Sequence, residues 1–370
     1  VTDADVLVAG GGPAGSACAI ALARGGLRVL LLERESVPRE KVCGEFLGGD
    51  ALACLAALGI DPMALGGVRI AEGCVARGAG AARFALPFGA AGLPRRVLDA
   101  ALLDAAAAAG AQLRRGATVR DAARDGALWS LRLADGTMLH APHLVLATGK
   151  HALRGFPRPG TQAGWIGAKL HLRLAAPLRA VILLPFPGGY AGLQPSGDGA
   201  ANLCAAIGPG QAAALHDAAG FIALVRAGAP LAAALLAGAA PLMPRPLAVA
   251  GVPYGFLHRD TPGADPSLWR LGDQFAVIPS FLGDGMAMAL AGGVAAAAAL
   301  LSGGTAPAFH TSWRRRIATP MGIGRATGLV LRRAPWLFGG AIAVAPGLAR
   351  LVARRTRVTA PPGGWGAALS

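Results

Sequence analysis

The sequence predicts an α/β fold in which a parallel-sheet domain is interrupted by an antiparallel β-sheet domain and followed by a helical C-terminal extension. Three observations lead there. An apolar run, a glycine-rich turn, a helix pattern and a second apolar run succeed one another between Asp5 and Glu33. A second turn rich in Gly and Asp, Gly272-Asp273 and then Gly283-Asp284-Gly285, opens a long alanine-rich stretch far along the chain. Between the two, from about Trp165 to Pro253, short apolar runs are broken by Gly and Pro, as in small strands. At 370 residues the chain can bury a large core, and two interleaved domains suit that length better than one.

Asp5–Ala9 reads as a buried strand, Ala14–Arg24 as a helix closed by Gly25-Gly26, and Leu27–Leu32 as a second buried strand ending in Glu33. Gly10, Gly12 and Gly15 stand between the first strand and the helix, with Pro13 and Ala14 opening the helix. Gly10 permits a tight turn, Gly12 lets the backbone approach a pyrophosphate, and Gly15 lets helix pack on strand. The positive end of the helix then faces the phosphates. Glu33, at the end of the second strand, is placed to accept hydrogen bonds from a ribose diol, and Arg34 follows it at the same end. In this order the pieces form a dinucleotide-binding opening.

Helices are expected at Asp50–Leu58 and from Leu93–Asp99 to near Gly110, and a hairpin around Asp135-Gly136 between Trp129–Leu133 and Met138–His140. His143–Ala147 is the next buried strand, running into Thr148-Gly149. Strands at Val181–Leu184, Tyr190–Leu193 and Asn202–Ile207 mark the inserted domain, and Leu268–Gly272 returns to the first. Met286–Leu301 is a long helix. The expected division is 1–70, 92–160 and 265–305 for the nucleotide-binding domain, 71–91 and 161–264 for a substrate domain, and 306–370 for the extension. No solenoid repeat is present.

Charge is unevenly spread. Beyond Asp284 there is no Asp or Glu, while ten arginines from Arg314 to Arg357 lie there. That tail lacks nucleic-acid recognition motifs and interleaved aromatics, so nucleic acid is not expected as a partner. Its apolar content suits peripheral contact with anionic lipid headgroups better. The uncharged run 334–349 is shorter than the ~20 residues a spanning helix needs. Five cysteines without metal-type spacing predict no metal site and a reducing, cytoplasmic setting, which leaves room for peripheral contact at the inner face of the membrane. The chain opens directly in a core strand, so no signal peptide is expected. Arginine far outnumbers lysine, of which there are three: Lys41, Lys150 and Lys169.

With these pieces placed, residues 3–300 resemble the FAD-dependent oxidoreductases that include aromatic hydroxylases, flavin halogenases and geranylgeranyl reductases. The resemblance implies a Rossmann-like FAD-binding domain of the glutathione reductase type. The second motif of that superfamily is matched by Gly272, Asp273, Pro279, Gly283 and Gly285. By resemblance, Asp273 bonds the ribityl chain, and the backbone at Gly285 and Met286 faces the flavin pyrimidine edge. The helix that follows supplies partial positive charge to a reduced flavin, and Asp284 is a candidate to cap it. Arg95, with Leu98 and Asp99, matches the arginine near the FAD phosphates or ribityl. Val119 matches the position whose backbone reads adenine, and Thr148-Gly149 with Arg154 is a weak form of a third segment. Lys41-Val42-Cys43-Gly44-Glu45 resembles the Cys-Gly-Glu segment of geranylgeranyl reductase-like proteins, which passes close to the isoalloxazine.

Three chemistries compete within that resemblance. Halogenases carry a lysine that handles hypohalous acid and a Trp-x-Trp segment; no lysine lies between Cys43 and Gly149, and no Trp-x-Trp occurs. Geranylgeranyl reductases line an isoprenoid tunnel with Tyr-x-Trp-x-Phe-Pro, where this chain reads Tyr190-Ala191-Gly192-Leu193-Gln194-Pro195. The favoured expectation is monooxygenation of a lipophilic phenolic or polyketide-type substrate through a flavin C4a-hydroperoxide. Reduction of isoprenoid or other C=C bonds is the first alternative, and a non-catalytic electron carrier the second. Hydroxylation needs a group to deprotonate or polarise a phenol, for which His171, Arg173, Tyr190 and Gln194 are the candidates. NAD(P)H, bound transiently, is the expected reductant.

Overall fold

Short, largely apolar runs build the three central strands of the first sheet, where both faces are covered. In the computed structural model, which describes residues 2–158, 164–333, 340, 346–358 and 364–367, β1 (Val6–Ala9) pairs in parallel with β2 (Val29–Glu33) and β10 (His143–Leu146). β17 (Leu268–Arg270) and β6 (Gln112–Arg115) complete the order β17-β10-β1-β2-β6. Val6 and Val8 face helices α1 (Pro13–Arg24), α3 (Arg95–Ala108) and α6 (Gly285–Leu301). Leu7 and Ala9 point the other way, onto a three-stranded antiparallel sheet of β7 (Val119–Asp125), β8 (Leu128–Leu133) and β9 (Met138–Ala141). The protein thus has the expected α/β architecture, with the predicted hairpin and long helix in place.

The second sheet has nine strands in the order β15-β11-β14-β13-β12-β4-β5-β3, with β16 also on β11. These are β3 (Phe46–Leu47), β4 (Val68–Arg77), β5 (Gly80–Gly92), β11 (Ile166–Arg173), β12 (Ala180–Phe186), β13 (Gly189–Pro195), β14 (Ala200–Ile207), β15 (Ala240–Pro241) and β16 (Leu247–Ala250). All pairs are antiparallel except β12 with β4. β3, within the stretch assigned to the first domain, joins this sheet, so chain segments on both sides of the seam share it.

The inserted region also holds two helices that its strand-like punctuation concealed, α4 (Ala218–Gly228) and α5 (Pro230–Leu235). The Asp217 side chain accepts from Gly220 N and starts the first, and Pro230 starts the second. Phe221, Val225 and Ala232 cover one face of the sheet through Leu170, Leu184 and Leu203. Strand alternation then sends the odd residues of β11 and the even ones of β13 and β14 to the opposite face. Register aligns them in rows across three strands: His171, Asn202 and Gln194; then Lys169, Cys204 and Gly192; then Gly167, Ala206 and Tyr190. The middle row continues through Leu183 to Val75. One half of this face is therefore polar and the other apolar.

Helices α2 (Gly49–Ala57), α7 (Ala306–Arg316), α8 (Ala318–Arg333), α9 (Pro346–Arg355) and α10 (Gly364–Ala367) complete the chain. Among the described residues no helix is long and apolar enough to cross a membrane. Most of the run 334–349 lies outside the described residues.

Candidate active site

The first glycine turn is one wall of a large cavity between the two sheets. Gly10 adopts φ +115°, and a Cβ there would lie 2.3 Å from the Ala147 carbonyl oxygen. A Cβ on Gly15 would lie 1.9 Å from the Gly10 carbonyl oxygen, so helix and turn touch through bare backbone. At Gly12 a Cβ would meet nothing nearer than the Arg95 guanidinium at 3.7 Å, which leaves that backbone open to a ligand. The buried Glu33 carboxylate accepts from Gly11 N at 2.9 Å and Glu35 N at 3.1 Å, fixing it at the tip of β2. Lys41 bridges Glu33 and Asp99, and Asp99 in turn holds Arg95 through two bonds of 2.7 and 2.9 Å. Burial disfavours the Arg95 charge, but Asp99 and the Cys43 sulfur outweigh it and raise its pKa.

The cavity encloses about 1540 Å³. That exceeds the ~300–1,000 Å³ of ordinary small-molecule sites and leaves room for a long cofactor plus a second molecule. Gly10, Gly12, Pro13, Ala14, Glu33, Arg34, Lys41, Cys43, Gly44, Arg95, Val119, Thr148, Gly149, Asp273, Gly283, Gly285 and Met286 all line it. Two motif residues do not: Gly15 packs behind the turn, and Pro279 caps the short turn before Gly283. Lys150 pairs with Asp273 at 3.5 Å and donates to the Val42 carbonyl, joining the second turn to the Cys43 segment. The set fits FAD: a bare-backbone phosphate cradle, a buried carboxylate at the tip of the second strand, and a second turn at a helix N-terminus.

Asp284 does not cap that helix, contrary to the sequence expectation. Its side chain makes no capping bond and is fully buried in an ion pair with Arg357. Burial raises its pKa, Arg357 and Thr356 lower it, and the balance leaves it at about 7.

Opposite the glycine turn, the polar half of the large sheet holds a buried charge network that sequence reasoning missed. Glu45, fully buried and at φ 60°, accepts from Arg95 N at 2.8 Å, Lys169 Nζ, His171 Nε2 at 2.8 Å and the Ser196 hydroxyl at 2.6 Å. Lys169 also reaches Glu40 at 2.6 Å. Burial works to raise the Glu45 pKa, but the His171 bond and the Lys169 charge prevail and hold it well below the usual range. Glu40, Glu45 and His171 stand close enough to hold a cation, and the Lys169 ammonium occupies that role.

Of the four candidate catalytic residues, Gln194 lines the cavity, and its Nε2 has no hydrogen-bond partner among the described residues. His171 is spent on Glu45, and Tyr190 is buried behind Ser280, to which its hydroxyl bonds at 2.8 Å. Arg173 is exposed at the end of β11, away from the cavity. Tyr254, not anticipated, does line it, with its hydroxyl 3.2 Å from Ser280 Oγ. Cys204 lines the cavity with Cys43, and burial pushes its thiol up to about 12.

Residues 3–185 match the model of the FAD-binding domain family. The menaquinone reductase of Mycolicibacterium smegmatis is 30% identical over 345 residues, covering 84% of this chain and 80% of that protein. The chain belongs to the FAD-dependent oxidoreductases. The match to the menaquinone reductase of Mycobacterium tuberculosis is also 30% identical and spans 54% of each chain. Among solved structures, the flavin-dependent brominase Bmp2 superposes with a TM-score of 0.78 at 21% identity, over 95% of this oxidoreductase and 93% of that chain. A probable FAD-dependent monooxygenase from Pseudomonas aeruginosa gives 0.72 at 20% identity, over 92% and 99%. These two likenesses concern the fold.

The Glu45 network generates a stability prediction for this oxidoreductase. Replacing Lys169 by Met strands a buried carboxylate and should cost about 3–5 kcal/mol at pH 7 in urea unfolding. In the wild type the Glu45 pKa is depressed on folding, so its contribution is full above the unfolded carboxylate range and lost as pH falls through the folded value. A Lys169→Met loss below about 1 kcal/mol would show that the network carries no such weight.

Proposed function

We propose that this oxidoreductase reduces a C=C bond in a long isoprenoid chain, such as the prenyl tail of a quinone, using electrons from NAD(P)H. The observation that carries the reading is the shape of the cavity. From the Cys43 segment it continues along the apolar half of the sheet, past Val75, Phe84, Val181 and Leu183, to Val330, Ala349 and Val352 on the C-terminal helices. An extended hydrocarbon fits that strip, and burying each CH₂ is worth about 0.8 kcal/mol. The name of the mycobacterial relatives supports the same substrate class. Hydroxylation, favoured on sequence grounds, needs a base for a phenol; His171 is bonded to Glu45, Arg173 is exposed at the strand end, and neither lines the cavity, which weighs against it.

FAD held by the two glycine turns would, once reduced by NAD(P)H, supply a hydride to one carbon of the double bond and return to its oxidised form. The other carbon takes a proton, and Tyr254 is the side chain best suited to hold one in the cavity. Burial raises its pKa well above that of an ordinary tyrosine, so the Oη proton is retained at neutral pH. Ser280 Oγ lies 3.2 Å from that hydroxyl and 2.8 Å from Tyr190 Oη, which orients it and offers a route for reprotonation. Gly192 leaves open space on the face it shares with the cavity-lining Cys204: a Cβ there would meet only the Cys204 carbonyl oxygen, at 3.9 Å.

The rim of the apolar end suits an anionic bilayer as the source of substrate. Leu329, Val330 and Leu351 are 41%, 43% and 50% exposed. Arg325, Arg333, Arg350, Arg354 and Arg355 are exposed on the same two helices, and Val330 also lines the cavity.

Two experiments test this reading. Anaerobic NADPH-driven turnover of a polyprenyl quinone should yield a product heavier by two hydrogens. Tyr254→Phe should lower kcat about 10²-fold, and Gly192→Trp should abolish turnover of long chains while FAD is retained. Substrate-stimulated oxygen uptake with gain of an oxygen atom would instead establish hydroxylation. Separately, reversing Arg350, Arg354 and Arg355 to Glu should weaken binding to phosphatidylserine vesicles by about 100-fold or more, at roughly 1 kcal/mol per basic residue. Unchanged pelleting would remove the membrane from the proposal.

A further inference from the structure

Arg357 reaches the flavin site from the far end of the chain, along a path built to receive it. Its guanidinium stands over the Phe88 ring at 4.3 Å and donates toward the Leu282 carbonyl at 3.4 Å, while Nε donates to the Ala353 carbonyl at 2.9 Å. A Cβ on Gly48 would lie 2.3 Å from Nη1, so the guanidinium as placed rests directly on the Gly48 backbone. One residue on, Val358 N donates to Asp50 Oδ2 at 2.7 Å and pins the segment to α2. The side chain is 10% exposed and pairs with the fully buried Asp284.

The order of these charges across the cavity wall is what gives them a function. Arg357, Gly283, Gly285 and Met286 line the cavity, whereas Asp284 does not. The positive member of the pair therefore stands between the negative one and the space above the α6 N-terminus. We propose that Arg357 is a positioning residue of the FAD site, which screens Asp284 from the flavin and adds its charge to the α6 N-terminus to favour the reduced, anionic flavin. The inference rests on FAD occupying this cavity and is independent of which substrate is reduced or oxidised.

The physical basis is a difference between two oxidation states. Reduction adds negative charge to the flavin ring system, and fixed positive charge nearby stabilises that state more than the oxidised one. Without Arg357, Asp284 has no cation to pair with and its burial favours protonation. The wall then carries no positive group at this point. With Asn in place of Asp284, the guanidinium stays and its charge is unopposed.

The test is the midpoint potential of the bound FAD in the full-length protein, measured by dye equilibration. Arg357→Gln should shift it to more negative values, Asp284→Asn to more positive ones, and Arg357→Lys should restore most of the wild-type value. FAD affinity, followed by flavin fluorescence, separates loss of cofactor from a change in potential. A merely structural docking role would leave all three variants at the wild-type potential, and that result overturns the proposal. If Arg357→Gln does not fold or hold FAD, Asp284→Asn decides alone: an unshifted potential there is equally fatal.

Discussion

The site depends on how closely α6 lies against α1. A Cβ on Gly293 would sit 2.4 Å from the Ala14 carbonyl oxygen, and one on Gly272 would sit 3.1 Å from the Ala14 side chain. Two helices far apart in the chain thus meet backbone to backbone through glycine and alanine. That contact aims both helix N-termini, at Pro13 and Gly285, into one cavity, so the two glycine turns act as one binding surface. Larger residues along this seam would part the turns and break the cradle. The abundance of alanine and glycine has a structural use at this seam.

Much of the fold was legible because its signals are local. The first strand, turn, helix and strand carry the order of chemistry that a dinucleotide site needs, and Gly272–Gly285 carries the second half of it. The buried charges were not legible, since Glu45 meets Lys169 from a distant strand and Arg357 meets Asp284 from the end of the chain. Pairings of that span follow from sheet register and helix docking, and one sequence displays neither. Helices α4 and α5 escaped for another reason: Gly and Pro at their ends resemble strand punctuation, while the Asp217 cap is a single side chain.

One signal could have exposed the network. The chain uses arginine almost everywhere, yet keeps three lysines, and each sits at the site bound to an acid: Lys41 to Glu33 and Asp99, Lys150 to Asp273, Lys169 to Glu40 and Glu45. A guanidinium is broad and planar, whereas an ammonium is compact and can sit between two carboxylates in a tight interior. Lys169, fully buried between Glu40 and Glu45, is the clearest case of a place that suits the smaller cation.

The large sheet then shows why the cofactor was easier to read than the reaction. Its cavity face changes from polar on β11, β14 and β13 to apolar on β12, β4 and β5, with Gly192 in the row where the two halves meet. A Cβ at that position would meet only the Cys204 carbonyl oxygen, at 3.9 Å, so the face is left open there. The cofactor site is built from two glycine turns whose residues stand close together in the sequence. A missing side chain on a strand has meaning only once the opposite wall is known. Part of that wall is the C-terminal segment, whose Val352, Ala353 and Arg357 line the same cavity. Apolar side chains and a cation bonded back to the Ala353 carbonyl thus border it together, a juxtaposition that only the folded chain displays.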